Sequence, residues 1–135
     1  MTITYAVEKA VSPEEFVDVL KRSGLAARRP VGKPDVIKGM VENASLTVTA
    51  RDARGVLVGV ARSVTDFAYC CYLSDLAVDR ACQRQGIGKE LMRRTKEAAG
   101  GDKVSLLLLS APDGMSYYPK AGLQKFDNCF GIRRK

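Results

Sequence analysis

The sequence contains no histidine among its 135 residues. Histidine is the side chain whose ordinary pKa lies closest to neutral pH, and it supplies the base of serine and cysteine nucleophile pairs and the commonest zinc ligand. Its absence excludes most hydrolase and metalloenzyme mechanisms. We therefore expect no metal site.

The four cysteines are irregularly placed. No Cys-x-x-Cys spacing occurs, so neither a redox pair nor a sulfur-ligated metal is indicated. The cysteines are predicted to be small apolar residues rather than halves of disulfides. They are Cys70, Cys71, Cys82 and Cys129.

Long apolar runs are also missing. The longest unbroken stretches, Val56–Ala61 and Leu106–Leu109, are far shorter than the roughly 18 residues of a membrane-spanning helix. Residues 1–10 lack the basic start, apolar run and small-residue cleavage site of a secretory signal. The sequence predicts a cytoplasmic protein that does not cross a membrane.

Basic residues, by contrast, are in excess: 22 Lys and Arg against 15 Asp and Glu, for a net charge of +7. Such a surface attracts anions, whether nucleic acid or the phosphates of a small cofactor. The hydrophobic fraction of 46% is that of an ordinary globular chain. The length predicts a single domain, residues 1–135, that builds a core without metal or disulfide support.

Hydrophobic periodicity predicts alternating strands and helices. The first helix has the clearest start, because Ser12-Pro13-Glu14-Glu15 combines an N-cap serine, a proline at the first helical position and a glutamate three residues on. Prolines and glycines make residues 26–34 a basic loop. The predicted elements are strand Thr2–Val7, a helix from Pro13 to Ser23, a helix from Pro34 to about Asn43, strands Leu46–Arg51, Val56–Val64 and Tyr72–Val78, helix Gly86–Ala99, strand Val104–Leu109, a helical turn within Asp113–Ala121, and a last strand Leu123–Arg133.

This order predicts an α/β fold with a mixed sheet. Strand Tyr72–Val78, helix Gly86–Ala99 and strand Val104–Leu109 form a right-handed crossover whose two strands are parallel. The nearly continuous apolar residues of the last of these strands predict that it is covered on both faces.

A glycine-containing loop, Gln83-Arg84-Gln85-Gly86-Ile87-Gly88, joins that strand to that helix. Its glycines allow a tight turn that leaves amide N–H groups facing outward at a helix N-terminus, where an anion binds favourably. It is not a Walker phosphate loop, since Lys89 is followed by Glu90 rather than Ser or Thr. Nor is it a dinucleotide fingerprint, since Leu91 stands where the third glycine would be.

The whole stretch, from the end of the strand through the loop, is a more specific signal of function than the two glycines alone. Leu76-Ala77-Val78, a gap of four residues and then Gln83–Gly88 closely resemble the acetyl-coenzyme A motif of the GCN5-related N-acetyltransferases, Gln/Arg-x-x-Gly-x-Gly/Ala. Further on, Tyr117–Leu123 resembles the Tyr-x-x-x-Gly-Phe segment of the same family, at the family's spacing. Two motifs in order, each in the right structural context, favour this family.

The resemblance implies a mixed central sheet with helices on both faces and a splayed pair of parallel strands that binds acetyl-coenzyme A. Backbone groups of the first strand would pair with the pantetheine arm, and the loop amides would hold the pyrophosphate. Tyr118 would act as the catalytic acid that protonates the departing thiolate, with Tyr117 as a weaker candidate. The implied cofactor-binding residues are Leu76, Ala77, Val78, Gln83, Arg84, Gln85, Gly86, Ile87, Gly88 and Lys89.

The general base is left unassigned. Alternation predicts that Tyr72 and Ser74 share a face with Leu76 and Val78, where several family members place a glutamate. Asp75, on the other face, and Asp66, in the preceding loop, are interpreted as ordinary solvated or hydrogen-bonded carboxylates. A water relay is the remaining option.

A second departure lies seven residues before Tyr118, where Ala111 replaces the asparagine that many members have. The resemblance therefore implies that one contact to the cofactor or the strand is missing.

The expected reaction is acetyl transfer to a primary amine, with a small molecule as the favoured acceptor, by direct attack in a ternary complex. Three alternatives stay open. The basic groups Arg28, Arg29, Lys33 and 133–135 could bind RNA, the acceptor could be an aminoacyl-tRNA or a protein amine, or the chain could sense coenzyme A without turnover. Pairing as a homodimer is an expectation of the resemblance alone.

Overall fold

One five-stranded sheet and four α-helices form the framework in the computed structural model, which describes residues 2–135. The strands are β1 Thr4–Val7, β2 Leu46–Arg51, β3 Leu57–Thr65, β4 Cys70–Val78 and β5 Ser105–Leu107. The helices are α1 Pro13–Ser23, α2 Pro34–Glu42, α3 Ile87–Ala99 and α4 Tyr117–Lys120. Short 3₁₀ turns span residues 25–28, 80–82, 101–103 and 112–114.

The strands follow one another across the sheet in the order β1-β2-β3-β4-β5. The pairings from β1 to β4 are antiparallel, and β4 and β5 are parallel. One core cluster includes α3 and the sheet face beneath it, and the other joins α1 and α2 to the opposite face. The predicted mixed sheet, with helices on both faces and a parallel crossover, is confirmed.

Helix α1 begins and ends as its sequence predicts. The backbone N–H of Glu15 donates to the Ser12 hydroxyl oxygen at 3.1 Å, which satisfies one of the amides that a helix N-terminus leaves free. Gly24 ends the helix with φ of 88°, a left-handed conformation that favours glycine. The helix buries Phe16, Val19 and Leu20 against the sheet, so the loop that follows is held close to β3 and β4.

A β-bulge corrects the predicted faces of β4. Arg62 of β3 pairs with Asp75, and the next residue, Ser63, pairs with Leu73, so Ser74 is the extra residue. The extra residue reverses the alternation, which places Tyr72 on the α1–α2 face, opposite to Leu76 and Val78. The prediction of one shared face for Tyr72 and Leu76 was wrong because simple alternation cannot register an inserted residue.

Strand β5 is shorter and more exposed than predicted. Only Ser105–Leu107 of the predicted Val104–Leu109 forms the strand. Leu106 packs against the α3-side core, whereas Leu107 is 43% exposed. The prediction of cover on both faces was wrong, because α1 and α2 do not extend over this edge of the sheet.

The predicted last strand, Leu123–Arg133, is also wrong. Among the described residues, 123–135 form no strand or helix, and Phe130 and Ile132 are almost fully exposed. Leu123 alone in this segment packs against the α3-side core. The β-type residues are present, but a strand also requires a partner for its backbone groups.

Candidate functional site

The parallel strands β4 and β5 separate after a short paired stretch. Pairing is limited to Cys70, Cys71 and Tyr72 of β4 with residues 105–107 of β5. From residue 73 to residue 78, the β5-side edge of β4 is therefore without a strand partner. This is the splay that an extended ligand could enter as a surrogate strand.

Two residues of β4 present their backbone groups to this open edge. The N–H of Asp79 donates to the carbonyl of Val58 on β3 at 2.8 Å, so the preceding carbonyl, that of Val78, points the opposite way. Since backbone direction repeats every second residue, Leu76 also faces the splay. Ala77, predicted with them, turns its buried side chain toward the α1–α2 core.

Gln83, the first residue of the predicted anion loop, contacts the end of β4. Its side-chain amide donates to the Val78 carbonyl at 3.0 Å. A ligand that pairs with this carbonyl must therefore share it with the amide of Gln83 or displace that amide. The sequence motif places these residues near one another but does not predict this hydrogen bond.

The loop between β4 and α3 is exposed and sharply turned. Arg84 has φ of 65° and Gly86 has φ of 79°, left-handed values that favour glycine at the second position. A Cβ at Gly86 would meet no other atom within 4 Å. Gln83, Arg84 and Gln85 are also exposed, so the loop borders open space.

The N-terminus of α3 fits an anionic group. Gly86 is the N-cap and no side chain caps the helix, while the N–H of Glu90 is already bonded to the Gly86 carbonyl at 3.0 Å. The amides of Ile87, Gly88 and Lys89 precede the first intrahelical bond and are available to a ligand. The buried Ile87 side chain fixes this end against the core, and Lys89 adds an exposed cation. This donor set suits the phosphates of coenzyme A.

Two adjacent tyrosines lie beside that helix end. A Cβ at Gly88 would lie 2.9 Å from the hydroxyl oxygen of Tyr117, so glycine at this position leaves room for the phenol. The rings of Tyr117 and Tyr118 meet edge to face with centroids 5.2 Å apart. The fold therefore places Tyr117 against the first motif, with Tyr118 packed beside Tyr117.

Tyr118 is half-buried and packs against the α3-side core. Burial raises the pKa of its phenol, with a smaller increase from Tyr117, while the positive charge of Arg29 lowers it. The net effect is a raised pKa, so the phenol stays protonated at neutral pH. A protonated phenol can donate a proton to a developing anion.

Asp75 is fully buried and hydrogen-bonded by two arginines. The Nε atoms of Arg29 and Arg62 each donate to one of its carboxylate oxygens. Arg29 also donates to the Ser74 carbonyl at 2.9 Å, and Arg62 donates to the Ser74 hydroxyl oxygen at 3.0 Å. The interpretation of Asp75 as a hydrogen-bonded carboxylate is confirmed. We call Arg29, Arg62, Ser74 and Asp75 the ion cluster.

Sequence reasoning missed the ion cluster. Arg29 follows the 3₁₀ turn Leu25–Arg28, inside the stretch predicted as an irregular basic loop, and reaches β4 across 46 positions of sequence. No local pattern indicates such a contact.

The side chain of the other candidate carboxylate, Asp66, is hydrogen-bonded within its own turn. Its side chain accepts hydrogen bonds from the backbone N–H groups of Tyr69, Ala68 and Cys70, and these lower its pKa to about 2. A carboxylate with so low a pKa is a weak base. Ala111, in place of the family's asparagine, lies at the start of a turn, where its carbonyl accepts from Gly114 at 2.9 Å.

Other features of the described chain lie away from this site. Two surface concavities of about 330 and 360 Å³ are lined by β1, β2 and α3 and by α1 and α2, respectively. In residues 2–135, no three cysteine or carboxylate side chains are grouped as they would be around a metal ion. The helices of the same range are all too short or too polar to span a bilayer.

Comparison with known proteins gives a match to the acetyltransferase (GNAT) family over residues 14–122. An uncharacterized N-acetyltransferase of Pyropia yezoensis is 28% identical over 102 residues, which cover 73% of this chain and 57% of the relative. The chain thus matches little more than half the length of that relative.

Solved structures of similar fold cover nearly the whole chain. A GNAT family acetyltransferase of Streptococcus pneumoniae has a TM-score of 0.75 at 22% identity, covering 99% of this chain and 98% of its own. A ribosomal-protein-alanine N-acetyltransferase of Brucella melitensis has a TM-score of 0.72 at 20% identity, with coverages of 98% and 100%. An aminoglycoside acetyltransferase from an uncultured soil sample, in complex with sisomicin, has a TM-score of 0.71 at 15% identity, with coverages of 98% and 95%.

Proposed function

Because the chain belongs to the acetyltransferase (GNAT) family, whose model matches residues 14–122, we propose that it transfers an acetyl group from acetyl-coenzyme A to the primary amine of a small molecule. The observation that carries this proposal is the open edge of β4 beside the uncapped N-terminus of α3. The open edge of β4 can pair with an extended amide chain, and the N-terminus of α3 can hold phosphates.

The backbone of β4 binds and orients the cofactor in this proposal. Leu76 and Val78 present N–H and C=O groups to the splay, as an added strand requires. The amides from Arg84 to Gly88 hold the pyrophosphate, with Lys89 beside them. When bound, acetyl-coenzyme A supplies an acetyl group activated as a thioester.

Tyr118 supplies a proton to the leaving sulfur. Its phenol stays protonated because burial raises its pKa, and the charge of Arg29 lowers the cost of the negative charge that develops as the proton departs. Backbone N–H groups at the open edge of β4 can stabilise the oxyanion that forms when the amine attacks.

No carboxylate is assigned as the general base. Asp75 is held by two arginines, and Asp66 is held by three backbone amides. We propose that water carries the proton away from the amine, which reacts only in its neutral form.

The fold does not select the acceptor. One structural neighbour is an aminoglycoside acetyltransferase and another is a ribosomal-protein-alanine N-acetyltransferase. An aminoacyl-tRNA or a protein amine therefore remains the alternative acceptor, and sensing of coenzyme A or binding of RNA without turnover remains the alternative to catalysis.

Calorimetric titration with acetyl-coenzyme A, followed by free-thiol release with arylalkylamines, polyamines, amino acids and peptides, tests the proposal. We expect binding and amine-dependent thiol release. Binding without release for any amine would support a coenzyme A sensor. No binding would refute the cofactor assignment and leave RNA binding as the leading function.

We also propose that the protein forms a homodimer in a reducing, cytoplasmic compartment. The exposed Phe130 and Ile132 of the C-terminal segment support association, and the exposed thiols of Cys70 and Cys129, which form no disulfide among the described residues, fit a reducing environment. Size-exclusion chromatography with light scattering should give twice the 14.7 kDa chain mass. A monomer at micromolar concentration would refute the dimer.

A further inference from the structure

An exposed apolar row crosses three strands at the point where β4 and β5 begin to separate. Val64, Tyr72 and Leu107 are direct register neighbours on β3, β4 and β5, and their side chains are 50%, 40% and 43% exposed. Leu73 and Leu106 pack in the α3-side core, so alternation directs Tyr72 and Leu107 to the α1–α2 face. We call these three residues the apolar row.

The ion cluster is the next row along the same face. Arg62 and Asp75 are paired across β3 and β4, next to the Val64–Tyr72 pair. Two guanidinium groups surround one buried carboxylate, so the cluster carries a net positive charge. An apolar surface and a cluster of net positive charge therefore lie side by side at the splay, and Arg29, 21% exposed, is the cation of the cluster that a ligand can reach.

The loop between α1 and α2 contains further positive charge. Residues 25–33 contain Arg28, Arg29 and Lys33 and no acidic residue. Arg28 is exposed, and its backbone carbonyl accepts a hydrogen bond from Arg29 at 2.9 Å, which places the backbone of Arg28 beside the cluster. The adjoining segments contribute two acidic residues: Asp66, whose negative charge is stabilised by backbone amides, and Asp35 in the first turn of α2.

The acceptor must approach from this face if the proposed function is correct, and the inference rests on that function. The N-terminus of α3, where the phosphates would bind, belongs to the opposite face of the sheet. The α1–α2 side of the splay is then left for the amine. The positive charge of Arg29 lowers the pKa of Tyr118, so the ion cluster acts electrostatically on the residue proposed as the acid.

We infer that the acceptor is an α-amino acid with a large apolar side chain. Its side chain packs on the apolar row, and its carboxylate is attracted by Arg28, Arg29 and Lys33. Transfer forms a bond between the amine nitrogen and the acetyl carbon and breaks the thioester carbon–sulfur bond. The amine loses one proton to water and the departing thiolate gains one from Tyr118. Polycationic amines are disfavoured, because the surface they would meet is positive.

Four acceptors separate the contributions of charge and apolar surface. L-phenylalanine has both features, phenethylamine lacks the carboxylate, L-alanine lacks the large side chain, and spermidine is a polycation. With saturating acetyl-coenzyme A and rates corrected for the neutral amine fraction, we expect kcat/KM for phenylalanine to be at least about tenfold above that of phenethylamine or alanine. Spermidine should be the poorest.

A matched pair of charge reversals tests the basic loop. Arg28→Glu should lower kcat/KM for phenylalanine about fivefold, as a surface charge contact predicts, and leave phenethylamine unchanged. Lys9→Glu makes the same charge change next to β1, at the far edge of the sheet, and should alter neither. Acetyl-coenzyme A affinity, measured by calorimetry, should be the same in both variants and the unmodified protein.

The outcomes distinguish this inference from the proposed function. Equal or better transfer to phenethylamine, alanine or spermidine would overturn the acceptor class while leaving acetyl transfer intact. Acetyl-coenzyme A binding without transfer to any of the four would overturn it as well. No binding and no transfer would instead refute the proposed function and the inference with it.

Discussion

At the position of Tyr118, the fold keeps a phenol protonated, half-buried and close to the charge of Arg29. Its neighbour Tyr117 is more exposed and places its hydroxyl over Gly88. The sequence motif contains both tyrosines, but only their surroundings distinguish them. Burial raises the pKa of both phenols, but only Tyr118 has a positive charge, that of Arg29, which lowers its pKa and stabilises the anion left by proton donation. Tyr117 instead contacts the N-terminus of α3.

Removal of the Tyr118 hydroxyl should therefore slow turnover. We expect Tyr118→Phe to lower kcat about 10²-fold, the lower end of what a positioned acid contributes, with unchanged acetyl-coenzyme A affinity. Tyr117→Phe is the matched control and should change kcat less than threefold. If Tyr117→Phe is the slower variant, the two roles are reversed.

Gly86 allows a second test at the residue scale. Gly86→Glu places a carboxylate in front of the α3 amides and should reduce acetyl-coenzyme A affinity by at least about 100-fold. Gly86→Ala carries the same left-handed backbone strain, of about 1 kcal/mol, without the charge. It should bind nearly normally in calorimetry, and an equal loss in both variants would attribute the effect to backbone strain.

At the scale of elements, the ion cluster holds the loop after α1 against β4. Arg29 contributes from the loop, Arg62 from β3 and Asp75 from the bulged stretch of β4. Because of the bulge, Asp75 and Ser74 both accept hydrogen bonds from the two arginines. The position of β4, which forms one side of the splay, thus depends on buried ion pairs.

Loss of the Asp75 charge should destabilise the fold. Asp75→Asn leaves two largely buried arginines without their carboxylate, and we expect the free energy of unfolding to fall by about 3 kcal/mol. Asp18→Asn is the matched control, since Asp18 forms an exposed ion pair with Arg22 that is worth less than about 0.5 kcal/mol. Urea denaturation measures both, and equal effects would show that the cluster does not stabilise the fold.

At the scale of the whole molecule, folding lowers the pKa values of several carboxylates. Hydrogen bonds from Arg51 lower the pKa of Glu8 and of Glu15. Arginine side chains lower the pKa of Glu90 to about 2, and backbone amides do the same for Asp66. With no histidine in the chain, no side chain of ordinary pKa titrates between pH 5 and 8.

The free energy of unfolding should therefore be flat from pH 8 to about pH 5. Groups with lowered folded pKa stabilise the protein above the unfolded pKa of about 4, and this contribution is lost as pH falls toward 2. Arg51→Gln should make the acid decline shallower, because Glu8 and Glu15 lose their partner. Urea midpoints across this range give the profile, and a fall between pH 8 and 6 would contradict the assignment.

The sequence by itself determined the local elements and the glycine-containing turn before α3. The cap of α1, the span of α3 and the turn from Gln83 to Gly88 follow from interactions within a few positions, so periodicity and glycine placement predict them. The two motifs that resemble the acetyltransferases were read in the same way. The order of the predicted strands and helices also predicted the mixed sheet with a parallel crossover.

Only the tertiary structure decided which groups meet. The bulge at Ser74, the contact of Arg29 with Asp75 and the separation of β4 from β5 depend on pairings between distant segments. The segment 123–135 has residues suited to a strand and forms none among the described residues. A backbone needs a hydrogen-bonding partner to become a strand, and the segment's own residues do not specify one.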